Sequence, residues 1–232
     1  MYKVVLLRHG QSIWNRNKRF TGWTDVGLSD RGITEARDAG TRLAAAGYGF
    51  DVCFTSVLRR ATETADMLLA SMGLEHISLR TSWRLNERHY GALQGLSLLQ
   101  GIRRYGLLPV IRCQRQFVVA PPLLSADDPR RPSRDPLYAG ANPQELPNGE
   151  SVMDTLRRTL PYWESDIAPE VRGGARVLVV AHRNTLRALI KHIENLPEQA
   201  APRIKVPTAV PLIYELDPQM TAVRCIRLGK EG

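Results

Sequence analysis

The chain has 232 residues, of which 43% are hydrophobic and 24% are charged, proportions typical of a soluble globular protein. Its apolar runs are far shorter than the ~20 residues that a membrane-spanning helix needs, and we expect no signal peptide because Met1-Tyr2-Lys3 leads directly into a predicted strand. Three widely spaced cysteines (Cys53, Cys113 and Cys225) suit neither a disulfide framework nor a zinc site. These features predict a reduced, cytoplasmic protein.

The net charge of +9 comes mainly from arginine, with 27 arginines and 5 lysines. A basic protein first suggests nucleic acid, but these arginines are scattered in pairs along the chain and form no stripe with aromatic residues. The planar guanidinium group binds carboxylates and phosphates through paired hydrogen bonds. The composition therefore favours small phosphorylated substrates over nucleic acid or a membrane.

Predicted strands and helices alternate along the chain, which favours a parallel-rich sheet. The predicted strands cover 4–7, 51–56, 77–79, 177–181, 210–216 and 222–226. The predicted helices cover about 31–46, 57–72, 97–117, 148–167 and 185–190. The proline-rich stretch 96–148 has too little apolar periodicity for a core of its own. We therefore expect a single domain over 1–232, with 96–148 as an insertion or lid over one end of the sheet.

Two predicted strands end in a histidine. Arg8, His9 and Gly10 follow the first strand, and His182 follows the strand at 177–181. In open α/β sheets, ligands bind outside the carboxyl ends of the strands. A lone histidine there is more often a hydrogen-bonded turn residue, but two of them converge if their strands are neighbours. This repetition favours chemistry on an anion.

A third signal is the junction between the strand at 51–56 and the helix after it. Thr55 or Ser56 is the expected N-cap, and Arg59 and Arg60 fall in the first turn, where the helix dipole disfavours cations. Free backbone N–H groups at such a junction bind anions. The two arginines are either solvated or placed beside a bound anion, and we favour the second interpretation.

The stretch 83–95 is dense in chemically active side chains and reads as a functional loop. Glu87 beside Arg88 is either part of a structural ion pair or a proton donor next to a phosphate. Neutral imidazole is a good nucleophile toward phosphorus, and phosphoryl transfer needs mainly alignment and positive charge. No nucleotide-binding loop or H-E-x-x-H motif occurs, and this chemistry requires no metal.

The sequence resembles the cofactor-dependent phosphoglycerate mutases of the histidine phosphatase superfamily. The similarity spans nearly the whole chain, and the run WRLNERHYGAL separates these mutases from their broader phosphatase relatives. The matching stretches include LLRHGQS, RFTGWTDVGLS, DVCFTSVLRRA, SWRLNERHYGALQGL, ESVMDTLRRTLPYWE and VPLIYELD.

The resemblance implies a three-layer α/β sandwich with a mostly parallel central sheet. It implies interconversion of 3-phosphoglycerate and 2-phosphoglycerate in glycolysis and gluconeogenesis, through a phosphohistidine primed by 2,3-bisphosphoglycerate. His9 is then the nucleophile and Glu87 the acid/base, with Arg8, Arg60 and His182 around the phosphoryl group. The implied substrate-binding residues are Ser12, Asn15, Thr21, Gly22, Arg88, Tyr90, Arg115, Arg183 and Asn184. The family also implies a homodimer, with a tetramer as the alternative.

Several positions depart from the family pattern. Arg183 stands where a glycine is usual, Leu98 where a lysine is usual, and Gln114 where an arginine is usual. The sequence also ends at Gly232, without the longer tail of many members. A glycine after the second histidine suggests close backbone approach or a backbone dihedral that other residues avoid.

Two lost cation contacts would cost ~1.5–3 kcal/mol each, although Arg183 and Arg112 are candidate replacements. We therefore expect mutase activity that is reduced relative to hydrolysis. Two alternatives stay open at this point: a histidine phosphatase that hydrolyses small phosphorylated metabolites, and a weakly active or regulatory paralogue that binds phospho-ligands.

Overall fold

One sheet organises the fold in the computed structural model, which describes residues 1–229. Its strands are β1 (Tyr2–Arg8), β2 (Val52–Thr55), β3 (Leu79–Thr81), β4 (Val177–Ala181), β5 (Leu212–Leu216) and β6 (Ala222–Arg227). They pair in the order β3-β2-β4-β1-β5-β6. The first four in this order are mutually parallel, whereas β5 and β6 pair antiparallel. The predicted mostly parallel sheet is confirmed.

Helices cover both faces of this sheet. Over residues 1–229 the α-helices are α1 (Ile13–Arg16), α2 (Asp30–Ala45), α3 (Arg59–Ala70), α4 (Leu98–Tyr105), α5 (Leu107–Arg115), α6 (Val152–Tyr162), α7 (Ala168–Arg172) and α8 (Arg183–Ile193). Successive strand residues point to opposite faces. Val4 and Leu6 of β1 join a core that includes α7 and α8, while Val5 and Leu7 join a core with α2 and α3. The three-layer α/β architecture is confirmed.

The helix starts follow the sequence signals in one case and depart from them in another. α2 begins directly after Ser29, whose hydroxyl accepts a backbone N–H of the first turn, as predicted. The expected N-cap at Thr55 or Ser56 is wrong, because α3 begins at Arg59 after Leu58, which provides no side-chain cap. Ser56 forms a hydrogen bond to an imidazole beyond β4 instead, a tertiary contact that the local pattern does not encode.

Two predicted helices are divided in the structure. The helix expected over 97–117 is α4 and α5, separated at Gly106, whose φ of +84° is incompatible with a continuous helix. The helix expected to end near 167 continues through a π-helical turn, Trp163–Ile167, into α7. The strand expected at 77–79 lies at 79–81. These differences shift boundaries and leave the element order unchanged.

Within residues 1–229, no helix has both the length and the apolar character needed to cross a bilayer. The chain end at Gly232, where the sequence departs from the family's longer tail, lies outside the described residues. The single-domain organisation over 1–232 and the insertion role of 96–148 stay predictions.

Candidate active site

Neighbouring parallel strands bring the two histidines together. β1 pairs with β4 so that Arg8 lies opposite Ala181. His9 and His182 are the next residues along each strand, and their ring centroids are 4.9 Å apart. The convergence expected from two strands that each end in a histidine is therefore present.

His9 is held in a form suited to nucleophilic attack. Its Nδ1 lies 2.6 Å from the Gly10 carbonyl oxygen, which can only accept a hydrogen bond, so Nδ1 carries the proton and Nε2 keeps its lone pair. Burial, and then the charges of Arg60 and Arg8, hold the pKa of this imidazole well below its usual range. His9 is therefore neutral at pH 7, and it lines a cavity at this edge of the sheet.

His182 lies behind His9 and does not line that cavity. Its Nε2 is 2.7 Å from the Ser56 hydroxyl, which also accepts the Leu58 N–H. Burial, followed by the charge of Arg60, holds the pKa of His182 well below its usual range. Its Nδ1 is buried without a hydrogen-bond partner among the described residues.

Two buried arginines flank the histidines. Arg60, in the first turn of α3, donates to the carbonyl oxygens of Gly22 (2.7 Å) and Thr24 (3.1 Å), and Arg8 donates to that of Val206 (3.1 Å). Burial lowers the pKa of Arg60 to about 10, and burial together with the charge of Arg183 lowers that of Arg8 to about 10. Both guanidinium groups therefore remain positively charged at pH 7.

Gly22 is required by the geometry of the loop that holds Arg60. Its φ is +56°, and a Cβ at this position would lie 2.1 Å from Oε1 of Gln94. That same amide oxygen accepts the N–H of Trp23, so it cannot easily move away. A side chain at position 22 would disturb the carbonyl that Arg60 uses.

The cavity is strongly cationic and has a volume of about 250 Å³. Glu87 is the one carboxylate among the described residues that line it. The Nε atoms of Arg8 and Arg88 are buried there without a partner among the described residues. The lining cations are Arg8, Lys18, Arg19, Arg60, Arg88, Arg183 and Arg187. This excess of donors fits a small ligand with more than one negative charge.

The Glu87 carboxylate is fixed by backbone donors. Its Oε1 accepts the N–H groups of Arg88 (2.8 Å) and of Asn184 (3.1 Å), which is the second residue of α8. The Asn184 side chain donates to the Tyr90 hydroxyl at 3.1 Å. Glu87 is thus hydrogen-bonded to the helix that follows His182, so it belongs to the same site as the residues at the two strand ends.

A buried ion pair holds the loop that carries Glu87. Arg158 of α6 donates to the carbonyl oxygens of Arg84 (2.7 Å), Asn86 (2.9 Å) and Glu87 (2.9 Å), and it pairs with Glu150 at 2.6 Å. The Glu150 carboxylate also accepts the backbone N–H of His89. We call this unit, Arg158 with Glu150, the loop clamp. No local sequence pattern marks the loop clamp, because it acts through backbone atoms over 60 residues away in the chain.

Most of the site residues expected from the sequence line the cavity, and three do not. His182 lies behind His9, and Ser12 is buried as the N-cap of α1. Arg115 is exposed at the end of α5, and its neighbour Gln114 lines the cavity in its place. The lining residues expected from the sequence are Arg8, His9, Asn15, Thr21, Gly22, Arg60, Glu87, Arg88, Tyr90, Arg183 and Asn184.

Other lining residues were not expected as ligands from the sequence. Lys18, Arg19 and Phe20 follow α1, and no periodic pattern marks them. Arg187 follows Arg183 by four residues on α8, a spacing that places the two side chains on one helix face. The expectation that Arg183 binds the ligand could therefore have been extended to Arg187.

The positions that depart from the family pattern fall into two groups. Leu98, Gln114 and Arg183 all line the cavity, and the end of the chain lies outside the described residues. Arg112, a candidate replacement for the missing cations, lies outside the cavity lining. Arg183 is the first residue of α8 and has no left-handed backbone angle. The backbone therefore does not require glycine at position 183, and the arginine is accommodated without strain.

Two imidazoles between buried arginines, at the carboxyl ends of parallel strands, define a phosphate-handling α/β enzyme. The family profile described as histidine phosphatase superfamily (branch 1) matches residues 4–123 and 124–228. The chain belongs to the histidine phosphatase superfamily.

Curated relatives cover the whole chain. It is 47% identical over 232 residues, all of this chain and 94% of the relative, to the 2,3-bisphosphoglycerate-dependent phosphoglycerate mutase of Borrelia garinii subsp. bavariensis. The same identity and coverage hold for the protein of that name from Borreliella burgdorferi.

Solved structures share the fold. A mycobacterial glucosyl-3-phosphoglycerate phosphatase, complexed with VO3, superposes with a TM-score of 0.73 at 26% identity, covering 98% of this chain and 97% of that one. The alpha-ribazole phosphatase of Shigella flexneri superposes with a TM-score of 0.69 at 19% identity, covering 99% and 100% of the two chains, a likeness of fold alone.

Proposed function

We propose that this protein is a 2,3-bisphosphoglycerate-dependent phosphoglycerate mutase that interconverts 3-phosphoglycerate and 2-phosphoglycerate, as in glycolysis and gluconeogenesis. The observation that carries this proposal is the neutral His9, with Nε2 free, at the base of a cavity lined by cations. The name of the full-length relatives at 47% identity agrees with it.

In the proposed first step, Nε2 of His9 forms a bond to phosphorus while the bond between phosphorus and the donor's ester oxygen breaks. Arg8 and Arg60, which line the cavity with His9, are proposed to stabilise the equatorial oxygens, as phosphoryl transfer requires. His182 is proposed to support His9 from behind, where its ring centroid lies 4.9 Å from that of His9. Because these groups are already held in place, they stabilise the charge of the transition state without having to reorganise.

Glu87 is proposed to move the proton. It gives a proton to the departing ester oxygen as the phosphohistidine forms. In the return step it takes the proton from the incoming hydroxyl, whose oxygen bonds to phosphorus as the Nε2–P bond breaks. Its two backbone donors, from Arg88 and Asn184, keep the carboxylate in place through both steps.

2,3-Bisphosphoglycerate supplies the first phosphoryl group to His9 when it is bound. The cavity fits such a polyanion, because Arg8 and Arg88 present buried Nε donors without partners among the described residues. Over residues 1–229 no His, Cys, Asp and Glu side chains are grouped to hold a metal ion. Metal independence, a cytoplasmic location and a homodimer stay predictions that the family resemblance supports.

The test is a pulse and chase with labelled 2,3-bisphosphoglycerate. We expect acid-labile label on His9 and its transfer to added 3-phosphoglycerate faster than to water. His9→Gln should take no label, whereas His76→Gln, which changes an exposed histidine outside the cavity, should behave as the parent protein.

Each other outcome has a separate meaning. Label that passes to water at the same rate with or without 3-phosphoglycerate would identify a phosphatase. Binding of 3-phosphoglycerate without label on His9 would identify a protein that binds phospho-ligands without turnover. Either result would contradict the proposed mutase.

A further inference from the structure

The cavity has two unlike walls beyond His9. The wall from α4 and α5 contributes Leu98 and Gln114, which carry no charge. The wall from α8 contributes Arg183 and Arg187, one helical turn apart. The α4 and α5 wall therefore offers no cation to a second anionic group, whereas the α8 wall offers two guanidinium groups. Lys18, Arg19 and Arg88 also line the cavity but belong to neither wall.

Neither arginine of the α8 wall is neutralised by an ion pair within the described part of the chain. Arg187 donates from Nε to the Ile204 carbonyl oxygen at 2.9 Å, which fixes the side chain and leaves its charge uncompensated. Burial and then the charge of Arg183 lower the pKa of Arg187. The charge of Arg183 acts in the same direction on Arg8. Such like-charge crowding is unfavourable unless an anion lies among the guanidinium groups.

A second, independent observation points to a ligand in the same space. Arg8 is 8% exposed and Arg88 is 2% exposed, and the Nε of each is buried without a hydrogen-bond partner among the described residues. Both side chains line the cavity with Arg183 and Arg187. Buried charged donors without partners are costly, so an anionic ligand that accepts from them would remove that cost.

We propose that Arg183 and Arg187 form the subsite that binds the second anionic group of the substrate, its carboxylate or second phosphate, while the transferring phosphoryl group lies at His9, Arg8 and Arg60. The proposal rests on the proposed function in taking a phosphoglycerate as the ligand. It assigns recognition of the second anion to α8, and it leaves the α4 and α5 wall without a charged role.

The subsite also links ligand recognition to the acid/base residue. Arg183 and Arg187 lie on the helix whose Asn184 N–H donates to Glu87. An anion bound at this wall therefore places the ligand against the element that fixes the carboxylate. The spacing between the two anionic groups then decides which ligand oxygen comes close to Glu87.

Calorimetric titration of the full chain tests the subsite without using turnover. We would measure the Kd of 3-phosphoglycerate, which has two anionic groups, and of inorganic phosphate, which has one. In Arg183→Gln and in Arg187→Gln, the Kd of 3-phosphoglycerate divided by the Kd of inorganic phosphate should rise by about 10-fold or more, because each variant loses a hydrogen bond to a charged group. Arg187→Lys should recover part of the loss.

The matched control is Arg103→Gln. Arg103 is exposed on α4 and lies outside the cavity lining, so the variant removes the same charge and should keep the parent ratio. Equal losses for both ligands in the α8 variants, or no loss, would overturn the proposal. The proposed function fails separately if the parent protein binds 3-phosphoglycerate but forms no phosphohistidine.

Discussion

At the scale of single residues, His9 shows how burial prepares a nucleophile. The imidazole is 2% exposed and lies near Arg60 and Arg8, so its protonated form is disfavoured. His182 is buried in the same cationic surroundings and has its pKa lowered for the same reasons. Protonation of either histidine is therefore unfavourable in the folded chain, which couples its stability to pH.

This coupling predicts a loss of stability in acid. A histidine with a lowered folded pKa takes up its proton only on unfolding, so the unfolded chain binds more protons below its pKa of ~6.5. Each such histidine should lower the free energy of unfolding by about 1.4 kcal/mol per pH unit below that value, until its folded pKa is reached. Urea titrations between pH 7 and pH 5 would measure this slope.

His9→Gln should reduce the number of protons taken up on unfolding by up to one, because glutamine does not titrate. The free energy of unfolding should then fall less steeply as the pH is lowered. His76→Gln serves as the control: His76 is exposed, and removing it should leave the slope close to that of the parent. A His9→Gln slope equal to that of the parent protein would contradict the assignment of a neutral, buried His9.

Single residues also show which parts of the site the sequence can predict. His9, His182 and Glu87 were predictable because strand ends and a long family-like run mark them. Ser56 was placed wrongly as an N-cap, because its partner His182 is 126 residues away. Arg115 was expected in the cavity, but α5 presents Gln114 instead, and one position along a helix rotates the side chain by about 100°.

At the scale of elements, the loop clamp connects α6 to the Glu87 loop. Arg158 is 7% exposed and satisfies three carbonyl groups of that loop, while Glu150 neutralises its charge. Neither residue lines the cavity. Local patterns predicted the helix that contains Arg158, but they could not show which backbone groups its side chain would reach.

Removing one member of the clamp should harm both stability and turnover. Arg158→Met leaves Glu150 buried and unpaired, which should cost about 3–5 kcal/mol of unfolding free energy. The double variant Arg158→Met with Glu150→Gln removes the unpaired charge and should recover most of this stability. Its kcat/KM should stay about 10- to 100-fold low, because the loop carbonyls still lack their donor and small displacements of catalytic groups are costly.

Arg157→Met is the control on the same helix, since its side chain is 68% exposed. We expect changes within about 0.5 kcal/mol and near-parental turnover from it. Chemical unfolding and steady-state kinetics on the same samples separate the two effects. Full recovery of kcat/KM in the double variant would show that the clamp supports the fold alone.

At the scale of the whole molecule, the sheet carries most of the packing. Val4, Leu6 and Phe54 face one large core, and Val5, Leu7 and Cys53 face the other, so β1 and β2 contribute to both. Sequence periodicity was sufficient to predict this layering, because buried parallel strands read as continuous apolar runs. It was insufficient for 96–148, where Gly106 and several prolines interrupt the pattern.

The segment 96–148 is held by smaller clusters. Val110 and Cys113 pack with Leu93, and Tyr138 and Leu146 pack with Trp23. Because the segment has no large core of its own, we expect it to depend on the sheet and its helices for its order. Hence the chain should unfold as one domain, with local opening of this segment at a lower free energy than the sheet.

Native-state hydrogen exchange would measure both parts of this prediction. Amides of β1 and β4 should exchange only through global unfolding, whereas those of α4 and α5 should open more easily. Added 3-phosphoglycerate should slow exchange in α4 and α5, which contribute Leu98 and Gln114 to the cavity, more than in the exposed part of α2, which contributes none. A separate unfolding transition confined to 96–148, with protection independent of the sheet, would instead identify this segment as a second domain.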